Sequence, residues 1–120
     1  MKSDPLRVPD FLRHILEASA RIETYTRDMS KSDFLANSMA QDAVLRNIEI
    51  LGEASRNIGL RDPDFATRYP QIPLRDIVAM RNRLSHGYFA IDLDIIWKAV
   101  RKDVPALRAV VQQVYHSLPK

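Results

Sequence analysis

QDAVLRNIEILGEASRNI, residues 41–58, is the stretch that decides the fold class. Its apolar residues recur at three- and four-residue steps, the period of an α-helix. They fill two adjoining faces, with Ala43, Asn47, Ile50 and Ala54 on one and Val44, Ile48, Leu51, Ser55 and Ile58 on the other. A helix apolar over so wide an arc is either central to a core or shared with a second copy of the chain. The spacing predicts this helix over 39–58, with Gly59 as its C-terminal stop.

The rest of the chain repeats the helical period. Upstream, Phe11, Ile15, Ala18, Ile22 and Tyr25 form one stripe, and Pro9 suits a first turn. The polar break DMSKSD follows, where Ser32 is the expected N-cap of a short helical turn. Downstream, Pro63, Pro70 and Pro73 punctuate a connector with one short helical stretch, DFATRY. A further helix is predicted over 74–84 on Ile77, Val78, Met80 and Leu84, ended by Gly87. Asp92 then caps a last helix whose stripe runs from Leu93, Ile96 and Trp97 to Val114 and Leu118. Pro105 interrupts that stripe and is expected to kink or divide it. No stretch alternates long enough for a strand. The fold expected is all-α, an antiparallel bundle of four or five helices in one domain, residues 1–120.

Composition narrows the function classes. Hydrophobic residues make up 46% and charged residues 28%, the balance of a soluble globule. With no cysteine, disulfides, thiolate metal sites and cysteine nucleophiles are excluded. The N-terminal MKSDPLRVPDFLRH lacks the apolar core of a signal peptide, and no run is long enough to span a bilayer, so a cytoplasmic location is expected. Eighteen basic residues against 15 acidic ones give a formal charge of +3, which permits contact with nucleic acid without demanding it.

The polar residues that could do chemistry lie in RNRLSHGYF, residues 81–89. Asn82 and His86 share one side of the helix, Arg81 adjoins them, and Tyr88 follows Gly87 at the helix end. That cluster suits a phosphate. A histidine near neutral pKa can take a proton from a ribose 2′-hydroxyl or return one to the leaving oxygen. A guanidinium offers forked donors to the charge that builds on the phosphate. No metal or other cofactor is needed, and Asp92, Asp94 and His86 are too few and too poorly spaced to bind one. One histidine cannot easily serve as both acid and base, so a homodimer with two facing helix ends is the economical site. A structural account of the same residues stays open: His86 capping the helix, Arg81 in a surface ion pair and Tyr88 packed with its hydroxyl wet.

The chain resembles the HepT-like branch of the HEPN domains. The residues that carry the likeness are the R-x4-H-x-Y motif at Arg81, His86 and Tyr88, with Asn82 after the arginine, and a Gly-Glu-Ala signature at Gly52, Glu53 and Ala54. PQIPLRDIVAMRNRLSHGYFAIDLDIIWKAVRKDVPAL follows the family pattern as well, except that Leu74 stands where relatives commonly carry tryptophan. The resemblance implies a five-helix HEPN fold and a homodimer with the motifs facing each other. It implies a metal-independent endoribonuclease acting on RNA as the toxin of a toxin–antitoxin pair. It also implies a partner, an MNT-type nucleotidyltransferase antitoxin that silences the toxin by transferring AMP to Tyr88. The alternative is a non-catalytic HEPN subunit that binds nucleotide or regulates its transferase.

Other residues admit two accounts. Glu53 either holds Arg81 in position or is a carboxylate paired for structure, whereas Gly52 is expected to permit close helix packing. His14 and His116 are expected at the surface or an edge, and Trp97 in packing. Arg75, Arg83, Arg101 and Lys102 could meet phosphates or simply cover solvated faces. Among the other tyrosines, Tyr25 and Tyr115 are expected to pack, and Tyr69 in the connector to compete with Tyr88 for modification.

Overall fold

The computed structural model describes residues 6–86 and 91–119, with the side chains of Ser85 and His86 outside that description. Helix α1 spans Val8–Thr26, and Pro9 sits in its first turn. There the Asp10 carboxylate accepts a hydrogen bond of 2.8 Å from the Arg7 N–H, satisfying a donor that the helix start leaves free. Phe11, Ile15, Ala18 and Ile22 are buried as expected. Tyr25 is not: the step of four from Ile22 lands on Thr26, which is buried, and Tyr25 is left 44% exposed.

The N-cap of α2 (Lys31–Leu35) is Ser30 rather than Ser32. The Ser30 hydroxyl accepts from the Asp33 N–H at 3.1 Å and the Asp33 carboxylate accepts from the Ser30 N–H at 3.0 Å, a reciprocal cap that Ser32 cannot make. Asn37 caps α3 (Ser38–Arg61) through the Ala40 N–H at 2.9 Å. The helix does not stop at Gly59. It continues to Arg61, and no described residue has a positive φ, so Gly59 serves as an ordinary, exposed helical residue.

A short α4 (Phe65–Arg68) lies in the connector, where the Arg68 guanidinium is hydrogen-bonded to Asp62 and its pKa is raised by that bond. Helix α5 spans Leu74–His86, two residues past the expected end. Asp92 caps α6 (Leu93–Lys98) by accepting from the Asp94 N–H at 2.9 Å. A π-helical turn, Ala99–Asp103, joins α6 to α7 (Val104–Ser117). Pro105 explains that turn. It has no N–H for the Arg101 carbonyl and its ring would press on that carbonyl, and widening the preceding turn relieves both.

Helix α3 packs against α1 and α5, and α7 packs on α1. Most of the wide apolar arc of α3 is buried within the chain, where Val44, Ile48, Leu51, Ala54 and Ile58 are covered, Leu51 to 4% exposure, while Ala43 and Ile50 are only partly buried. Arg46, Glu49 and Glu53 remain at its open side. Arg101, one of the candidate phosphate contacts, is engaged within the fold. It donates to the carbonyls of Thr26 and Met29 and lies over the Trp97 ring at 4.4 Å, while Phe34 packs on that ring at 5.3 Å.

Candidate active site

The side chain of Arg81 crosses from α5 to α3 at Gly52. A methyl group built on Gly52 would lie 2.5 Å from the Arg81 Cγ and closer still to its Cβ. Carbon atoms pack at about 3.5–4.0 Å, so any side chain at position 52 must displace the arginine stem. The close approach expected of Gly52 is therefore contact with the candidate catalytic residue itself.

Past the stem, the guanidinium is held from two sides. Nη2 lies 3.4 Å from the Glu53 Oε2, and Nη1 donates to the Asn82 Oδ1 at 3.1 Å. Nε is buried and meets no acceptor among the described residues. The Glu53 carboxylate is about half exposed, so the pair is worth no more than about 1 kcal/mol of stability and acts mainly by orienting the fork.

Two clefts adjoin this guanidinium. One, about 320 Å³, lies between α3 and α5 and is lined by Asp42, Leu45, Leu84 and Ile91 besides Arg81. The other, about 480 Å³, lies between α1 and α3 and has Phe11, His14, Ile50, Glu53 and Asn57 with Arg81. Arg46 and Glu49 line both clefts, so they form a common ridge with Arg81. A separate, more apolar cleft of about 420 Å³ lies against α5 and α7, and Arg81 does not line it.

The structure brings Arg81, Asn82, Glu53 and Gly52 together. Position 86 falls in the last turn of α5, but the His86 side chain and the whole of Tyr88 lie outside the described residues. His14, expected at the surface or an edge, lies at the edge of a cleft that also holds Arg81. It is half-buried, edge-on to Phe11 at 5.9 Å between ring centres, and lines the larger cleft with Arg81. Its one signal was a place three residues after Phe11 on the same helix. His116, Arg75, Arg83 and Lys102 are exposed, as solvated residues are. Tyr69 is half-buried and packs on Phe65 at 4.8 Å, and Tyr115 is half-buried too. Among the described residues no group of three or more His, Cys, Asp or Glu is placed to hold a metal ion, and no helix is long and apolar enough to cross a membrane.

The model of a family described as ribonuclease HepT-like matches residues 15–114. A probable ribonuclease HepT of Thermococcus cleftensis is 41% identical over 105 residues, 88% of this chain and 93% of that protein. A candidate RNase of Methanocaldococcus jannaschii is 40% identical over 107 residues, 89% of this chain and 95% of its own length. A longer protein of the same organism, named as a gamma-glutamylcyclotransferase and candidate RNase, is 39% identical over 110 residues, 92% of this chain but 48% of that protein. No solved structure matches the chain closely enough to count as a relative.

Proposed function

The chain belongs to the HepT-like ribonuclease family, and from that premise we propose that it is a metal-independent endoribonuclease toxin working as a homodimer. The observation that carries the proposal is the seat of Arg81. Its stem lies on Gly52 and its fork is fixed by Glu53 and Asn82, so the cation is set before substrate arrives. Preorganised donors of this kind are what a phosphate gathering negative charge requires.

In the proposed reaction the 2′-oxygen of a ribose attacks the adjacent phosphorus and the P–O5′ bond breaks. One His86 accepts the 2′-proton, a second His86 gives a proton to the departing 5′-oxygen, and Arg81 stabilises the non-bridging oxygens. The products are a 2′,3′-cyclic phosphate and a 5′-hydroxyl. Helical periodicity sets position 86 about 7.5 Å along α5 from Arg81 and about 140° round the axis. That offset supports a site built from two copies, in which the His86 of each copy can serve the Arg81 of the other.

Control is proposed to fall on Tyr88. An MNT-type nucleotidyltransferase would join AMP to its hydroxyl with loss of pyrophosphate from ATP, setting a negative charge beside Arg81 and His86 where RNA must bind. The test is cleavage of RNA by purified protein in EDTA. Loss of cutting in Arg81→Ala and His86→Ala and a 2′,3′-cyclic end are expected, whereas a strict need for magnesium would overturn the mechanism.

A further inference from the structure

A phosphodiester is never presented alone; it comes with a nucleoside on each side. Arg81 meets that geometry, because the two clefts lie on either side of the ridge it forms with Arg46 and Glu49. The cleft between α1 and α3 has, at about 480 Å³, the size of a small-molecule site. Its lining is of mixed chemistry. Ile50 and Ala54 are apolar, the His14 ring is edge-on to Phe11, and Asn57 supplies an amide. Bases of single-stranded RNA are held in this way, by aromatic and apolar faces with polar groups at the base edge.

Glu49 and Glu53 line this cleft beside Arg46 and Arg81, so its charges balance; the phosphate belongs at the Arg81 guanidinium, and the carboxylates add hydrogen-bond acceptors to the cleft. They favour a neutral group that donates hydrogen bonds. Glu53 is engaged with Arg81 at 3.4 Å, whereas Glu49 is only loosely paired, 3.9 Å from Arg46. A carboxylate has about four lone-pair directions, so Glu49 keeps acceptor capacity for a ligand. We propose that the cleft beside Arg81 holds a base flanking the scissile phosphate and prefers one with an exocyclic amino group, read by Glu49 and Asn57 with His14 against its face. The proposal rests on the ribonuclease reading and adds a base preference to it.

Cytosine and uracil separate the chemistry from the shape, since they match in size and differ at position 4, an amino donor in one and a carbonyl acceptor in the other. An RNA containing all sixteen dinucleotide steps is cleaved with the full-length protein and the new ends are mapped. At one of the two flanking positions, cytidine is expected to be cut about tenfold faster than uridine, the scale of one good base-edge contact. Glu49→Gln should bring the ratio of cytidine to uridine cutting close to one, whatever its effect on the overall rate, and His14→Ala should raise KM more than it lowers kcat. Equal cutting at cytidine and uridine, or a preference untouched by Glu49→Gln and Asn57→Leu, overturns the base site and leaves the ribonuclease reading intact. The converse failure is separated by titrating 3′-CMP and 3′-UMP and following the His14 and Asn57 resonances. Selective shifts with 3′-CMP in a protein that cuts no RNA keep the base site and overturn the ribonuclease. Shifts confined to other residues overturn the base site.

Discussion

Gly52→Ala tests the central contact with a single added methyl. Two effects of opposite sign meet at this position. Alanine in a helix interior is favoured over glycine by about 0.5–1 kcal/mol through backbone entropy and propensity. Against that, the new methyl falls 2.5 Å from the Arg81 Cγ and nearer still to its Cβ, which are the fixed root of the side chain rather than its mobile tip. Overpacking of this kind costs about 1–3 kcal/mol, so at mid-range the clash wins by about 1 kcal/mol. For a domain of this size that is a fall in Tm of about 3–8 °C.

Activity should suffer more than stability. A 1 Å displacement of a positioned group costs on the order of 100-fold, and the loss is expected in kcat rather than KM. Gly59→Ala is the internal control. It lies on the same helix and a methyl there meets nothing within 4 Å, so it should gain about 0.5–1 kcal/mol and leave cleavage unchanged. Thermal melts at one fixed protein concentration, with cleavage rates on one RNA, compare the pair. A Gly52→Ala protein as stable as Gly59→Ala and active within twofold of the parent would refute the seat.

Three other outcomes are expected. Arg81→Ala and His86→Ala should each lower cleavage by at least about 100-fold and abolish growth inhibition, with cleavage by the parent persisting in EDTA; end analysis and plating assays check both. For the dimer, Leu51→Asp is no probe, because Leu51 is 4% exposed and the charge would unfold the chain. Ile95, 52% exposed beside Leu84 and Ile91, is the better site: Ile95→Asp should halve the mass seen by light scattering from twice 13.8 kDa and abolish cleavage, and an active monomer would refute the two-copy site. Tyr88→Phe should remove the AMP added by the cognate transferase and stay toxic beside it. Peptide mapping must follow Tyr25 as well as Tyr69, since Tyr25 is the more exposed of the two, and AMP on either would overturn the Tyr88 assignment.

Local rules made much of the fold legible. The helical period located every long helix, and Pro105 was visible as a disturbance, because both depend on residues a turn or two apart. The misses were of a local kind too. Ser30 and Asp33 are spaced as a capping box, a better signal than Ser32 alone. Gly59 looked like a stop, yet only a left-handed residue makes glycine necessary there, and α3 ends without one. What no period reveals is which faces meet. Gly52 and Arg81 are 29 positions apart, and nothing near either one in the chain shows that their atoms touch. The place of His14 beside Arg81 was hidden for the same reason, since the cleft they share is completed by α3 and α5.

The position of Gly52 also indicates which part of the site had to be built within one chain. An arginine side chain is free to adopt many rotamers, and fixing it costs up to about 2 kcal/mol unless packing has already ordered it. A glycine in the middle of a 24-residue helix is a standing cost of about 0.5–1 kcal/mol, and here it lets the stem of Arg81 lie flat on α3. Glu53, the next residue, then fixes the fork on the same helical turn. Gly-Glu at 52 and 53 is thus one device in two adjacent residues, a space for the stem and a counter-charge for the head. Replacing Glu53 by Gln should therefore be milder than Gly52→Ala, because the half-exposed ion pair is worth no more than about 1 kcal/mol while a methyl at 52 cannot give way. If Glu53→Gln proved the more damaging of the two, the carboxylate charge rather than the fit of the stem would be what sets Arg81.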